Sequence, residues 1–430
     1  MSGPVGLTTL QIANLTSQQL AAWTTADIAD LTLTQLPALR PAVLNAAGAA
    51  TTALMAALSA DQIAALSVAQ VAALGTRAFT SLAPGAIASF ETADIAALST
   101  ANTASLQAAD IALMQATQFA ALSGAQLNSF STADVRAISE AGFALLTTQA
   151  MAVLGSTQVA ALTAGQTAAL STRQAAAWNS AQLAALSSAN LAVLQAADLG
   201  AMKTTAIAGL SASHMALLSA DQLDGMTTAQ FAALSTAQVA ALSNTALAGL
   251  TGADLAALST NATAQLATAL LAQLSTEQLA ALTTRQIVAL SSAQFAGLTP
   301  EQVSHLRTAQ LAALGSRQVA GLSNADIAAL DSGDLPYLSA VAIGALTSAQ
   351  FSVLGGGDFS AISSLSTAQI GALRTAALVA LNAGQAAALS TRQVAALNSA
   401  QVSVLSVAAI QALPAADDPT RLPQSRIAVR

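Results

Sequence analysis

Large apolar residues recur at every eighth position along most of the chain, with small and polar residues between them. From Leu58 to Ile362 this spacing holds through 38 consecutive octads, and every octad closes on Leu, Ile, Met, Phe or Trp. Ser235–Leu242, with the sequence STAQVAAL, is close to the consensus. A strict short period is typical of solenoids, in which each repeat buries its apolar face against its neighbours. The pattern therefore predicts one repeated architecture and not a series of separate globular domains.

Each octad carries the signals of a helix start. Ser or Thr follows the closing residue, at the N-cap position, in 24 of the 38 octads, and Gln, Asp or Asn stands at N3 in 28 of them. Ser or Thr with Gln at this spacing forms a capping box, in which each side chain bonds to a free backbone N–H group of the other residue. Asp at N3 places negative charge at the positive end of the helix dipole. The closing Leu and the Ile or Val at N4 form a hydrophobic staple, and Pro300 occupies N1, where helices accept proline.

Two other structures compete with a chain of short helices. One long helix is excluded, because eight residues advance about 80° beyond two full turns, so the Leu stripe would wind around the helix. A β-solenoid is the alternative that we keep, although the apolar spacing of five and three lacks the alternation of strands. We predict an all-α, elongated solenoid with one capped helix of about six residues per octad, stabilised by stacking because such helices are marginal alone.

The octad frame divides the chain into five segments. Residues 1–39 hold the N-terminal octads, and 40–57 form an irregular insertion that contains Pro41 and Gly48. The uninterrupted solenoid spans 58–362, and a three-residue insertion at Ser363–Leu365 opens the C-terminal octads of 363–413. Residues 414–430 depart from the repeat and are rich in proline and charge, which predicts a non-repeat tail.

Composition excludes several classes of function. Charged residues make up 8% of the chain and the net charge is −7, so the clustered Lys and Arg of a nucleic-acid-binding surface are missing. The chain has no cysteine, which excludes disulfides and thiolate metal sites. The N-terminus lacks the charged and apolar regions of a cleavable signal peptide. Hydroxyl or amide groups interrupt every octad, so we expect no transmembrane segment.

The residues with possible site chemistry have simpler structural interpretations. His214 lies at N3 and His305 beside a closing Leu, and their separation gives no metal-ligand spacing. A set of aspartates at N3 could suggest a calcium ladder, but they are scattered among Gln positions, so helix capping is the better interpretation. These aspartates are Asp94, Asp110, Asp134, Asp198, Asp254, Asp326 and Asp358. The serines act as caps, and Gly355–Gly357 lacks the Lys and the strand-to-helix setting of a phosphate loop. We therefore predict no catalytic, cofactor-binding or metal-binding residues.

Three further groups of residues also lack a specific signal. Arginines at N2 should project from a common solvated face; they are Arg77, Arg173, Arg285, Arg317 and Arg392. Asp417 and Asp418 form a pair in the tail, where we expect them to be solvated. The hydroxyl groups at the N-cap and N1 could align in stacked octads as in an ice-binding face, but capping already accounts for the first of each pair.

The octad LSTAQVAA, with its variants TTRQIVAL and TPEQVSHL, resembles the L-T-x-x-Q-I-A-A repeats of long, low-complexity bacterial exoproteins. The resemblance covers about residues 7–413 and concerns the repeat type. It implies an extracellular or surface-associated structural protein with an adhesin-like character. We expect a non-enzymatic protein, without cofactors, that binds further copies of itself in filaments or a surface layer. An adhesin stalk or spacer, an intracellular protein-binding scaffold and an ice-binding solenoid are the alternatives.

Overall fold

The computed structural model describes residues 3–45, 49–357 and 359–414, and it is all-α. Short helices follow one another in tandem, and these residues contain no strand, so the predicted all-α solenoid of short helices is confirmed and the β-solenoid alternative is wrong. Asp358 and the tail from residue 415, with Asp417 and Asp418, lie outside the described residues.

The chain forms two compact units, Met1–Leu210 and Ser211–Arg430, which divide after a closing Leu. In unit 1 the described helices are α1 (Thr9–Ala13), α2 (Ser17–Ala21), α3 (Thr25–Ala29), α4 (Pro41–Leu44), α5 (Ala49–Ala57), α6 (Ala60–Ala64), α7 (Val68–Ala72), α8 (Thr76–Phe79), α9 (Thr92–Ala97), α10 (Thr100–Thr103), α11 (Ala108–Leu113), α12 (Ala116–Ala120), α13 (Gly124–Asn128), α14 (Thr132–Ala137), α15 (Glu140–Ala144), α16 (Thr148–Val153), α17 (Ser156–Ala160), α18 (Ala164–Ala168), α19 (Thr172–Ala175), α20 (Ser180–Ala184), α21 (Ser188–Val193), α22 (Ala196–Ala201) and α23 (Thr204–Ile207), with 3-10 turns at Leu36–Ala38 and Ala86–Ser89.

Unit 2 continues the same series. Its described helices are α24 (Ala212–Leu217), α25 (Ala220–Asp224), α26 (Thr228–Ala232), α27 (Thr236–Ala240), α28 (Asn244–Ala248), α29 (Gly252–Ala257), α30 (Thr260–Thr263), α31 (Thr268–Leu271), α32 (Thr276–Ala281), α33 (Thr284–Ala289), α34 (Ser292–Ala296), α35 (Pro300–Ser304), α36 (Thr308–Ala313), α37 (Ser316–Gly321), α38 (Asn324–Ala328), α39 (Ala340–Ile343), α40 (Ser348–Ser352), α41 (Ser360–Ser363), α42 (Thr367–Ala372), α43 (Thr375–Leu378), α44 (Ala383–Ala387), α45 (Thr391–Ala395), α46 (Ser399–Ser403) and α47 (Val407–Ala412), with 3-10 turns at Leu335–Tyr337 and Leu354–Gly357.

The predicted capping box starts most of these helices. In the consensus octad the backbone N–H of Ser235 donates to Gln238 Oε1 at 2.9 Å, and the backbone N–H of Gln238 donates to Ser235 Oγ at 3.3 Å. An Asp box works in the same way, since the N–H of Ser131 donates to Asp134 Oδ2 at 2.8 Å. Two of the free N–H groups at each such helix start are therefore satisfied by side chains of the same octad.

The helices end without the left-handed residue that commonly stops a helix. The closing Leu258 has φ −56° and ψ 140°, and the next cap, Ser259, is also extended. Among the described residues a positive φ occurs only at Gly6, Gly85 and Gly355. Two consecutive extended residues thus redirect the chain between octads, and this turn can be made by ordinary side chains. Alanine can accordingly occupy the end of nearly every helix.

Three positions in each octad face inwards. In the consensus octad Gln238, Val239 and Leu242 are buried, whereas the cap, N1, N2 and N5 residues are exposed. The N4 and closing side chains form the apolar core, and most helices pack against the third helix after them, as in the pairs α29 with α32 and α34 with α37. The burial of these two side chains contributes roughly 3–6 kcal/mol per octad relative to exposure.

Successive turns of the solenoid, which we call coils, approach each other closely at the N6 position. A Cβ atom added to Gly321, at N6 of α37, would overlap the backbone carbonyl oxygen of Ser292, at N1 of α34. Where N6 is large, N1 is small: a Cβ on Gly124 would lie 2.7 Å from Val153 Cγ2. The two contacting positions are 29 residues apart in both pairs, and this close approach explains why most octads carry Ala or Gly at N6.

The first insertion lengthens one coil. The Nε2 group of Gln62 donates to Ile28 O at 3.0 Å and Leu31 O at 2.9 Å, which lie 34 and 31 residues earlier. The corresponding separations are 31 and 28 residues in regular coils, as for Gln126. The nine-residue helix α5, the longest of the described helices, lies within this coil and follows residues 46–48, which are not described.

The second insertion lies eight residues before the position that we predicted. Gln393 Nε2 donates to Ile362 O at 3.1 Å and Leu365 O at 2.6 Å, which identifies these two residues as N4 and closing positions. The three additional residues are therefore Gly355–Gly357, part of a 3-10 turn, and not Ser363–Leu365. Both Ile362 and Leu365 are buried and apolar. The sequence pattern alone therefore could not show which of the two closes the octad.

Substitution of glycine by alanine should separate the close contact from helix propensity. Gly321→Ala should destabilise its coil by about 1–3 kcal/mol, because the new methyl group overlaps backbone that cannot rotate away. Gly371→Ala, at N5 of α42, is the matched control: its Cβ would lie 3.5 Å from the nearest atom outside its helix. There alanine should stabilise by about 0.5–1 kcal/mol. Hydrogen–deuterium exchange of α37 and α42 measures both changes, and equal effects of the two substitutions would contradict this account.

Candidate functional site

The buried N3 amide is the polar group that the fold uses most intensively. Gln126 is buried; its Oε1 accepts the N–H of Ser123 at 2.7 Å, and its Nε2 donates to Ile95 O and Leu98 O, each at 2.8 Å. The first bond belongs to the local capping box, whereas the other two cross to the preceding coil. Because an unpaired buried amide is costly, this full use of both N–H donors is what allows Gln at a core position.

The same cross-coil bonds recur along both units, at the residues 28 and 31 positions earlier in regular coils. We refer to this set of N3 glutamines as the amide ladder. Its members with both carbonyl acceptors in regular coils include Gln118, Gln126, Gln158, Gln166, Gln174 and Gln182 in unit 1, and Gln286, Gln302, Gln310, Gln350 and Gln393 in unit 2.

Sequence reasoning identified the local role of this glutamine and missed the second. The partner carbonyl groups are backbone atoms four octads earlier, so no residue type at that distance marks them. One signal was present: Glu serves a capping box as well as Gln, yet no octad from Leu58 to Ile362 has Glu at N3. A carboxylate accepts the local bond but has no N–H donor for the preceding coil.

Asparagine at N3 reaches only one of the two carbonyl groups. Asn190 Nδ2 donates to Leu162 O at 2.9 Å, and Asn102 Nδ2 donates to Leu74 O at 2.8 Å, in both cases 28 residues earlier. Asn102 Oδ1 is buried without a hydrogen-bond partner. The shorter side chain thus keeps the bond between coils and gives up only the bond to the N–H of the N-cap residue, while the N-cap Ser still accepts the N–H of Asn.

Aspartate at N3 can accept the N–H of the N-cap residue but has no donor for the bond between coils. The capping interpretation is confirmed for Asp94, Asp110, Asp134, Asp254 and Asp326, whose carboxylates complete capping boxes. Asp198 completes no such box, and its Oδ2 is buried without a partner, as is Asp326 Oδ1. Burial raises the pKa of Asp198. Burial also raises the pKa of Asp94; the bond from the Glu91 N–H opposes this shift, and the charge of Glu91 adds to it. These carboxylates therefore interrupt the amide ladder.

The two histidines do not share a site. His214 lies at N3, where its N–H donates to Ser211 Oγ at 3.1 Å and its Nδ1 accepts the N–H of Ser211 at 3.4 Å. His305 is exposed, with Nδ1 2.8 Å from Glu301 O. In the part of the chain that the structure describes, no three His, Cys, Asp or Glu residues are grouped so that they could hold a metal ion.

The remaining candidates occupy ordinary structural positions. The five N2 arginines are exposed, as their shared position in the octad predicted. Gly355–Gly357 belongs to a 3-10 turn, where Gly355 has φ +76°, and no strand leads into it. Residues 3–45, 49–357 and 359–414 contain no helix long and apolar enough to cross a bilayer.

A cavity of about 460 Å³ lies in unit 1, where two successive octads lack an amide at N3. The residues at those positions are Ala78 and Ala86, and the cavity wall is mostly apolar, with contributions from Phe79, Leu82 and Leu106. Its acidic residue, Asp110, accepts backbone N–H bonds from Gln107 at 3.1 Å and Gly85 at 3.4 Å. The carboxylate is thus engaged by backbone groups of the cavity wall.

Conversion of a ladder amide to a carboxylate should destabilise its coil. Gln126→Glu keeps the acceptor for Ser123 but places a buried charge against two carbonyl oxygens, so we expect a loss of about 3–5 kcal/mol. Gln19→Glu is the control, because Gln19 is half-buried and donates no cross-coil bond to a described residue; it should change stability by less than about 0.5 kcal/mol. Hydrogen–deuterium exchange of α13 and α2 reports each effect, and a similar loss at both would sink the proposed role of the ladder.

Exchange of Asp and Asn at N3 should shift stability in opposite directions. Asp198→Asn adds a donor for Leu170 O, the equivalent of the Asn190 acceptor, and should stabilise by about 1 kcal/mol at pH 7. Because the pKa of Asp198 is raised in the folded chain, its unfavourable contribution is absent below the ordinary carboxyl pKa and develops as pH rises through the raised value. The gain from Asp198→Asn should therefore shrink on acidification, whereas Asn190→Asp should destabilise at pH 7. Denaturant midpoints at several pH values test both.

Comparison with known proteins concerns the repeat. The family model described as the ALTTAQ repeat matches residues 271–308 and 327–364. Its name spells the consecutive positions N6, closing, N-cap, N1, N2 and N3, as in Ala281–Gln286 with the sequence ALTTRQ. No curated protein matches the chain. The chain thus carries tandem ALTTAQ repeats, which confirms the resemblance to proteins with L-T-x-x-Q-I-A-A repeats.

Proposed function

We propose that this chain is a non-enzymatic structural protein that associates with further copies of itself into filaments or a surface layer. The observation that carries the proposal is the uniform contact between coils. Gln126 and Gln302, in different units, each cap their own helix and donate to two carbonyl groups 31 and 28 residues earlier. A surface that fits the next coil inside one chain also fits a coil of another chain.

Low charge supports association. Charged residues are 8% of the sequence, so electrostatic repulsion between copies is weak. The exposed positions of the consensus octad carry hydroxyl groups and Ala. These small, uncharged side chains oppose contact between neighbouring molecules only weakly. Contacts that join the front of one copy to the back of the next generate open filaments when the rotation between copies does not close a ring.

The proposal places the protein outside the cell or at its surface. This placement follows from the resemblance of the octad to the repeats of bacterial exoproteins, and it suits a structural polymer without cofactor or substrate. Binding of an antibody to intact, unpermeabilised cells tests it. Signal only after permeabilisation would favour an intracellular scaffold instead.

Association should be visible in the native protein. We expect the sedimentation coefficient of the purified full chain to rise with concentration, because each added copy extends the same contact between coils. Negative-stain microscopy of the same samples should show filaments or sheets. A single monomeric species at the highest soluble concentration, with isolated particles on the grid, would contradict self-assembly and favour a spacer or stalk.

A further inference from the structure

The cavity in unit 1 lies where one octad departs from the regular fold. Octad 83–90 has Ala at both positions of the capping box, and it forms a 3-10 turn at Ala86–Ser89 in place of an α-helix. Gly85, with φ +80°, leads into this turn. Of the closing residues from 58 to 354, all of which the structure describes, Leu82 is half-buried and the others are buried. The irregular octad therefore leaves part of the apolar core open to the cavity.

The size and the apolar wall of the cavity suit a small molecule with an aromatic ring. Its volume of about 460 Å³ lies within the range of small-molecule sites. Phe79, Leu82 and Leu106 form part of the wall. The ring of Phe79 also stacks on the ring of Phe90, with centroids 6.3 Å apart and planes at 18°, so a neighbouring side chain holds it in place. A further ring placed against Phe79 would gain from the same kind of contact.

The side-chain donors of the cavity wall are already used within the chain. Thr80 Oγ1 donates to Thr76 O at 2.9 Å, and Ser105 Oγ donates to Asn102 O at 2.7 Å. Gln107 Nε2 donates to Ser105 O at 3.4 Å. The hydroxyl oxygens keep acceptor capacity, because each hydroxyl group has one hydrogen and two lone pairs. The wall is therefore better suited to a ligand that donates hydrogen bonds than to one that accepts them.

Asp110 makes the cavity negatively charged on one side. Its Oδ2 accepts the N–H of Gln107 at 3.1 Å, and its Oδ1 accepts the N–H of Gly85 at 3.4 Å. A carboxylate can accept about four hydrogen bonds, so both oxygens retain free lone pairs. Both donors are uncharged backbone groups, and neither of them balances the negative charge. This half-buried carboxylate can thus accept further bonds from a cationic ligand.

A backbone acceptor accompanies this carboxylate. In a regular coil the N3 residue donates to the closing carbonyl group 28 residues earlier, which for Asp110 is Leu82 O. Asp110 has no donor for it, and among the described residues none donates a hydrogen bond to Leu82 O. Leu82 itself lines the cavity. The broken rung of the amide ladder therefore provides a carboxylate and a carbonyl group as acceptors next to an apolar wall.

We propose that this cavity binds a small organic ammonium ion with an aromatic body. The ring packs against Phe79, Leu82 and Leu106, and the ammonium group donates to Asp110 and Leu82 O. A neutral ligand of the same shape gains the apolar contacts but not the charge-assisted hydrogen bonds, and an anion is repelled. The site lies within one copy of the chain, so the proposal is independent of self-association.

Three ligands of similar shape test the charge preference in the full chain. At pH 7, titration calorimetry should show that naphthylmethylammonium binds at one saturable site, at least about tenfold more tightly than naphthylmethanol, because a hydrogen bond to a charged group is worth at least a factor of ten. Naphthylacetate should bind most weakly. Equal affinities of the ammonium ion and the alcohol, or the absence of a saturable site for the ammonium ion, would overturn the proposal.

Replacement of the carboxylate tests its role as the anchor. Asp110→Asn removes the charge and supplies a donor for Leu82 O, as Asn102 does for Leu74 O, so naphthylmethylammonium should bind at least about tenfold more weakly. Asp254→Asn is the matched control, because Asp254 completes the same capping box at N3 in unit 2 and does not line the cavity. Native affinity of the Asp110→Asn variant would contradict the assignment of the anchor.

A larger side chain in the wall tests whether the ligand enters the cavity. Ala109 lines it at the exposed N2 position, where Arg173 shows that a long side chain is compatible with the helix. Ala109→Leu should weaken binding of both the ammonium ion and the alcohol, whereas Ala229→Leu, at N2 in unit 2, should not. Hydrogen exchange of the Ala108–Leu113 helix checks that the variants are folded. Undiminished binding to a folded Ala109→Leu variant would place the ligand elsewhere and overturn the site.

Discussion

The hydrogen bonds of the buried N3 amide are the interaction on which the rest of this structure depends. A helix of five residues has more free backbone groups than internal bonds, and it cannot form alone. Gln126 addresses this at both ends: its oxygen satisfies a donor at the start of its own helix, and its nitrogen satisfies carbonyl groups where a helix of the preceding coil ends. One side chain thereby links the formation of a helix to the stacking of coils.

Local features of the fold could be predicted from the sequence because their causes lie within eight residues. Ser235, Gln238 and Val239 have the cap, box and staple positions expected of them. The position of the second insertion could not be predicted, because Ile362 and Leu365 both suit a core position, and only bonds from Gln393 distinguish them. The cross-coil role of Gln126 was hidden for a related reason: its partners are backbone atoms, which leave no trace in residue type, and only the missing Glu at N3 hinted at a required donor.

Gln, Asn and Asp at N3 form different subsets of the same hydrogen bonds, because their side chains differ in length and in donor groups. Gln both caps its own helix and bonds to the preceding coil. Asn190 bonds to the preceding coil, and Asp134 caps its own helix. A chain built from Gln alone would be the most uniformly bonded, so each Asp or Asn marks a place where one set of bonds is given up. Capping accounts for five of the N3 aspartates that sequence reasoning considered, Asp94, Asp110, Asp134, Asp254 and Asp326, and for His214, whereas Asp198 completes no box. Substrate chemistry is not needed to explain why polar groups stand in the core.

The turns between octads have a consequence for how such chains change over generations. Since two extended residues redirect the chain and left-handed glycine is confined to Gly6, Gly85 and Gly355 in the described parts, one octad can be exchanged for another without special turn residues. Loss or gain of a whole octad leaves every ladder glutamine facing the end of some other octad, so slippage during replication of the repetitive coding sequence would alter length without breaking the fold. A shift of three residues needs a local remedy such as Gly355–Gly357. Relatives of this chain should therefore differ in copy number far more readily than in the spacing of their repeats.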